Sequence, residues 1–382
     1  MTHRSISLAR AAMTPLLALA AAAVCATTPT TYECTYLTGT GQGDSQYPEG
    51  HAINDLGTVA GVARYRPGEL DEVAKATLWV VGEEPVQLPT LNLPFHEVAD
   101  VNNAGQVVGA EILRSYLDPT PITWRNGQAE VLPILPGSWA GNGRALAIND
   151  KGDIVGASGA FDPPYTRNMH ATLWRRGKVI DLGALGGHNG QVQRVSAAVG
   201  INDAGVIVGW SDLKKSRFGG QHAVRWDNPW TIVDLGTLPN VEHSEANAIN
   251  KHGTIVGFSD REREINGIKD RRAVAWDANG IHELGIMKGF ESSTALKVSD
   301  DGVIVGKSVL PDFETSRAMV WFGLDGAARN LNHLVGSAGC QDPTGASFVL
   351  EVAQDINQSG VILATGASSD GARHATFELV PR

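Results

Sequence analysis

Three histidines stand in one repeated context: His170-Ala171-Thr172, His222-Ala223-Val224 and His374-Ala375-Thr376. An imidazole can ligate a metal or move a proton near neutral pH. At the same repeat position the chain also places Lys75, Thr120, Arg272 and Arg317, so histidine is one polar choice among several. The three fall on separate repeats and have no reason to converge, and a polar strand end that hydrogen-bonds to backbone accounts for them. Zinc needs three or four converging ligands, and no His-x-His, His-Glu-x-x-His or Cys-x-x-Cys occurs. The clusters Glu242-His243-Ser244-Glu245, His96-Glu97 and His282-Glu283 read as solvated loop or strand faces. No metal and no cofactor is expected.

A recurring Asn-Asp-x-Gly invites calcium, whose loops gather several oxygens on one point. Here the second position of each turn carries one Asp, replaced at three turns by Asn103, Lys251 and Gln358. Asn and Asp tolerate turn conformations and bond their own backbone, which is reason enough for their presence. No Gly-x-Ser-x-Gly elbow occurs, and Gly39–Asp44 (GTGQGD) lacks the Lys-Ser/Thr and helix of a phosphate loop. No catalytic residue is assigned. Paired acids for sugar hydrolysis could come from separate repeats and leave no local trace.

Those turns are the punctuation of a repeat, seen most plainly from Ala145 to Gly187. Four short apolar runs, Ala145–Asn149, Asp153–Ala157, Ala171–Trp174 and Val179–Gly183, are joined in pairs by Asp150-Lys151-Gly152 and Arg175-Arg176-Gly177-Lys178. Each run has strand length and Ile, Val and Leu content, so the unit reads as four antiparallel strands, A to D. The turn recurs at Asn54, Asn102, Asn149, Asn202, Asn250, Ser299 and Asn357, at gaps of 48, 47, 53, 48, 49 and 58. Four strands per period of about 50 residues belong to propeller blades.

Other columns agree. Gly50, Val98, Ala145, Ala198, Ala246, Ala295 and Ala353 stand four residues before each turn, where small side chains suit strands crowded near an axis. Gly61, Gly109, Gly156, Gly209, Gly257 and Gly306 fall inside strand B, with Ala364 in the seventh copy. A glycine there marks close approach of a neighbour. Trp79, Trp124, Trp174, Trp226, Trp276 and Trp321 end strand C and read as core between blades. Strand D carries Leu88, Leu132, Leu182, Leu235, Leu284 and Leu331, and the seventh copy lacks this strand. Tyr32–Thr40 supplies it from the other end of the chain, with Leu37 in the leucine column. The expected fold is all-β: one seven-bladed propeller over residues 27–382, closed by its N-terminal strand.

The A–B and C–D turns are short and share one rim, whereas the longer B–C and D–A connections share the other. That loop-bearing rim collects the candidate ligand-binding residues Tyr65, Tyr116, Trp139, Arg144, Tyr165, Arg167, Arg194, Phe218, His243, Phe290 and Phe313. Aromatic and arginine side chains on variable loops suit binding.

Residues 1–26 differ from the rest: Arg4 and Arg10 precede an Ala- and Leu-rich run ending Val24-Cys25-Ala26, the pattern of a secretory leader. Cys25 raises an outer-membrane lipoprotein reading, against which stands Val24 in place of a small residue. Soluble export, extracellular or periplasmic, is the expectation, with no transmembrane segment and a monomeric state. The formal net charge of −10 falls to −12 once Arg4 and Arg10 are removed, and without a Lys/Arg run nucleic acid is not an expected partner. Cys34 and Cys340 then remain, one in the borrowed strand and one in the connection leading to strand A of the same blade. A disulfide stapling the ring is one reading, and two separate thiols is the other.

The phrases His170-Ala-Thr-Leu-Trp174, Val179-Ile-Asp-Leu-Gly-Ala-Leu-Gly-Gly187, Asp234-Leu-Gly-Thr-Leu238 and Ala147-Ile-Asn-Asp-Lys-Gly152 resemble the HAF-repeat family of probable extracellular proteins. The stretch Asn330–Gly336 with Asp355-Ile-Asn-Gln-Ser-Gly360 and His374-Ala-Thr resembles that family's closing unit. The family's Phe is here Thr172, Val224 or Thr376. The resemblance implies secretion and repeats and carries no activity. The leading functional expectation is a non-catalytic binding module for an extracellular glycan, peptide or protein. The alternatives are an extracellular polysaccharide hydrolase or lyase and a structural envelope protein.

Overall fold

Each repeat folds into one blade, because a short turn after every second apolar run lets four neighbouring strands pair antiparallel. The computed structural model describes residues 29–39, 46–65, 73–91, 95–112, 119–136, 142–162, 166–185, 195–213, 220–265, 268–312 and 314–382. The third blade runs Gly143–Ile148, Ile154–Asp162, Thr166–Arg175 and Lys178–Gly183, paired in that order. Strands B and C here reach well beyond the runs Asp153–Ala157 and Ala171–Trp174, so part of the expected polar connection is strand. Single parallel bridges, Ala74↔Phe95 and Gln221↔His243, join the first blade to the second and the fourth to the fifth.

The glycine of strand B has a steric cause. Strand A is bulged in all seven blades, and the bulge pushes a carbonyl across its neighbour. A Cβ at Gly61, Gly109, Gly156, Gly209, Gly257 or Gly306 would fall within 2.1 Å of that carbonyl oxygen. Only a residue without a side chain fits. In the seventh blade, strand A (Ser347–Ile356) carries two register shifts instead of one. The close approach moves to Gly366, which faces the Val349 carbonyl, and position 364 is free to be alanine.

The tryptophan column fastens one blade to the next. All six are at most 5% exposed. The indole N–H of Trp79, Trp124, Trp174, Trp226 and Trp321 donates to Thr38, Pro89, Pro133, Leu182 and Gly285 respectively, at 2.6–2.9 Å. Each acceptor lies at the end of strand D in the preceding blade, so one side chain supplies both apolar burial and a directed bond. Trp276 is buried too, but its Nε1 has no hydrogen-bond partner among the described residues.

The ring closes with the N-terminal strand Tyr32–Tyr36 antiparallel to His374–Pro381, Cys34 opposite Leu379. Its outer edge is covered in turn: Tyr32 donates its N–H to the Leu334 carbonyl and accepts from the Gly336 N–H. Cys34 and Cys340 form a disulfide with Cα atoms 5.4 Å apart, so the staple reading holds. The leader and Cys25 lie outside the described residues.

Candidate functional site

The central channel has two mouths of different construction. At the mouth bordered by the A–B turns, the repeated asparagines do more than shape their own turns. Asn54 Oδ1 accepts the N–H groups of Leu56 and Thr58, closing the turn locally. Its Nδ2 meanwhile donates to the Asn102 carbonyl one blade on. The relay continues from Asn102 to Asn149, Asn202, Asn250 and Ser299, and from Asn357 back to Asn54, at 3.0–3.1 Å throughout. It is interrupted at Ser299, which has no amide to reach position 357.

A second relay uses the following residue. The N–H groups of Asp55, Asn103, Asp150, Lys251, Asp300 and Gln358 donate to the side-chain oxygens of Asn103, Asp150, Asp203, Asp300, Gln358 and Asp55. The gap falls between Asp203 and Lys251, because lysine carries no acceptor. These residues shape their own turns, as their sequence suggests; their second task, holding the next blade, depends on the ring.

Inside this mouth lies a cavity of about 220 Å³. Two residues before each turn stand Ala52, Asp100, Ala147, Gly200, Ala248, Lys297 and Asp355, three charges in an otherwise small column. Asp100 Oδ2 accepts from the Ile148 N–H and Asp355 Oδ2 from the Ile53 N–H, each one blade on. Lys297 Nζ lies 3.8 Å from Asp355 Oδ1, its side chain 31% exposed to the channel. Burial alone would lower the Lys297 pKa, but Asp355 and Asp100 outweigh it and hold the ammonium above its ordinary value. Burial dominates at Asp355, whose carboxyl sits above the ordinary range despite Lys297. This charged column was missed; aligning the repeats two positions before the turn reveals it.

At the opposite mouth the chain places charges five residues before the turns. Arg144 Nε bonds Glu97 Oε2 at 2.7 Å across blades three and two. Arg64 Nε bonds Glu49 Oε1 at 2.7 Å within blade one, and Gln221 Nε2 bonds Glu245 Oε1 at 2.6 Å. Burial would raise the Glu49 pKa, but hydrogen bonds from His51 and Arg64 bring it below the usual value. Beside them, between blades seven and one, a pocket of about 350 Å³ is lined by Pro48, Glu49, Arg64 and His374 among others.

Of the expected ligand-binding residues, Tyr116, Trp139, Tyr165, Arg194, Phe218 and Phe313 lie outside the described residues, and Arg167 is described only as backbone of Thr166–Arg175. Tyr65 ends strand B of blade one, with Lys75 Nζ 5.3 Å from its ring centre and Gln87 bonded to its hydroxyl. Arg144 stands at the channel mouth as above. His243 opens strand A of blade five near Asp212, whose pKa burial raises against the Val195 N–H and His243. Phe290 is half-buried in a D–A connection. The structure thus brings Arg144 to the loop-side mouth and spreads Tyr65, His243 and Phe290 around the rim.

The repeated histidines require a correction. They were read as bonding to backbone, yet His170 Nδ1 contacts Asp181 at 3.0 Å and His222 Nδ1 contacts Asp234 at 2.8 Å. Arg272 takes the same role toward Glu283 at 3.4 Å. In these three the partner is a carboxylate on strand D that strand pairing brings alongside, whereas His374 Nδ1 lies 3.9 Å from Glu351 Oε2 on strand A. Burial would raise the Asp234 pKa, but the His222 bond and the Gly236 N–H bring it below the usual value.

A family model described as "Protein of unknown function (DUF3466)" matches residues 138–376. Among curated proteins none matches the chain. The acylaminoacyl peptidase of Pyrococcus horikoshii is similar in structure, with TM-score 0.54 and 12% identity over 88% of this chain and 51% of that one. The chain therefore spans about half the length of that peptidase. The β-propeller domain of the Trilobed protease from Pyrococcus furiosus is similar at TM-score 0.52 and 9% identity, covering 93% and 96% of the two chains. That domain is described as having an open velcro topology, whereas the first and last strands of this chain pair. At such identities the likeness shows the propeller fold alone.

Proposed function

We propose that this chain, which belongs to the DUF3466 family, is an exported propeller that binds a polar ligand on its loop-bearing rim and does no chemistry on it. One observation carries the reading. At the turn-side mouth most repeated polar groups are spent on the next blade. At the loop-side mouth Glu97–Arg144 and Glu49–Arg64 remain about one-third exposed or more, and Glu49–Arg64 lines an open pocket. Rigid, partly exposed arginine–carboxylate pairs offer donors and acceptors to a glycan, a peptide or a protein surface. Export is supported by the leader pattern, by the resemblance of the repeats to the HAF-repeat family, and by a disulfide suited to an oxidising compartment.

The test is an array of glycans and peptides probed with the mature protein, then with Arg64→Ala and Arg144→Ala. The reading expects a bound ligand that at least one variant loses while melting unchanged. Ligands retained by both variants, or turnover of a bound glycan, would overturn it.

A further inference from the structure

The chain is acidic overall, yet one part of its turn-side rim is not. A groove of about 950 Å³ runs from blade two across blade three to the A–B turn of blade four. Its walls carry Arg125, Lys151, Arg175, Arg176 and Lys178 against Glu130, Asp150 and Asp153, a local excess of cations on a chain of net charge −10. No other C–D hairpin has this character. Blade one offers Glu83 and Glu84, blade four Asp227, blade five Asp277 and blade six Asp325.

The carboxylates are already committed. Glu130 pairs with Arg125 at 3.1 Å and Asp153 with Arg175 at 2.8 Å. Both Asp150 oxygens bond Asn103 in the relay. Lys151, Arg176 and Lys178 are exposed and have no carboxylate within 4 Å among the described residues. The Nε of Arg175 is buried without a partner among the described residues, an N–H for which they offer no acceptor. Val131, 57% exposed, gives one wall an apolar face.

We propose that this groove binds an anionic polysaccharide, its carboxylates or sulfates meeting Lys151, Arg176 and Lys178 while a sugar ring rests on Val131. The volume lies at the upper end of ordinary ligand pockets, so it suits several linked sugar units better than a lone anion. The one aromatic lining it, Trp174, is 4% exposed and belongs to the core, which leaves no platform for stacked bases. A concave, polar wall fits a chain better than a flat lipid surface. This site is separate from the loop-side rim and stands or falls independently of it.

Binding of oligogalacturonate, dextran sulfate and neutral dextran to the mature protein would be compared by calorimetry at low and high salt. The expected result is salt-sensitive binding of one or both anionic polymers, none of the neutral one, and a loss of roughly tenfold or more in the triple variant Lys151→Gln, Arg176→Asn, Lys178→Gln. Asparagine is chosen at position 176 because the residue there has φ of 52°. The variant's melting temperature reports that the fold survives, and Lys288→Gln with Lys307→Gln serves as a distant control. If the triple variant is misfolded, Lys178→Gln alone should still weaken binding. The proposal is overturned if no anionic polymer binds at low salt, if the control weakens binding equally, or if single-stranded DNA binds more tightly than either polymer.

Discussion

The two mouths of the channel are made from the same strands and behave as opposites. At the turn side, seven similar turns place an amide in six copies and a side-chain acceptor in six at matching heights, so most blades hold the next with what their own sequence repeats. At the loop side the connections differ in length from blade to blade. The polar pairs there, Arg64–Glu49, Arg144–Glu97 and Gln221–Glu245, are individual solutions. Repetition therefore stabilises one face, and its absence leaves the other free to specialise. The groove at blades two to four shows the first face escaping that rule where the C–D hairpins, outside the relays, vary in charge.

The largest expected effect breaks the ring itself. Deleting Thr27–Gly41 removes the closing strand and its disulfide, of which the disulfide alone is worth about 2–5 kcal/mol. The bared edge of His374–Pro381 should then drive association, visible by size-exclusion chromatography. A monomer with unchanged melting would contradict the closure.

Next come the indoles that fasten blades irrespective of rim. Trp226→Ala should cost about 3–5 kcal/mol in denaturant unfolding. Trp276→Ala should cost about 1 kcal/mol less, since no hydrogen bond is lost with it. Equal costs would mean that the indole bonds contribute nothing beyond packing.

The charged column in the channel should respond to pH. Lys297→Met leaves Asp355 without its counter-charge, at a cost of about 3 kcal/mol at neutral pH. Asp355 is already raised in the folded state, and the substitution raises it further. The folded chain therefore holds this proton more tightly than the unfolded one. The deficit relative to the wild type should open as pH climbs from the raised Asp355 value of the wild type through the still higher value of the variant, and shrink below that window. A deficit that grows toward acid pH would reverse the assignment.

The smallest effects compare the rims directly. Asn149→Ala should cost about 1–3 kcal/mol by leaving two N–H groups unpaired and removing one of the two bonds to the Asn202 carbonyl. Ser299→Asn should add about 1 kcal/mol by completing the amide relay. Arg144→Ala at the other mouth should stay within about 1 kcal/mol. Chemical denaturation of the three variants, side by side, checks that ordering.

Blade number, strand order and the closing strand were all legible in the sequence, because each depends on a local pattern that recurs in register. The tryptophan column and the strand-B glycines were legible for the same reason: one steric demand, met in six blades, leaves one residue type in a column. The glycine shift to Gly366 was not legible, since it follows from a second register change within Ser347–Ile356. The carboxylate partners of His170 and His222 were hidden because strand pairing, and not chain neighbourhood, sets the distance. The asparagine relay and the Asp100–Lys297–Asp355 column were hidden because each needs side chains from different blades at one height around an axis, and only the stacking of blades into a ring puts them there. The free cations of the groove all come from the third repeat, and what tertiary structure adds is the wall that the second blade and the turn of the fourth build beside them.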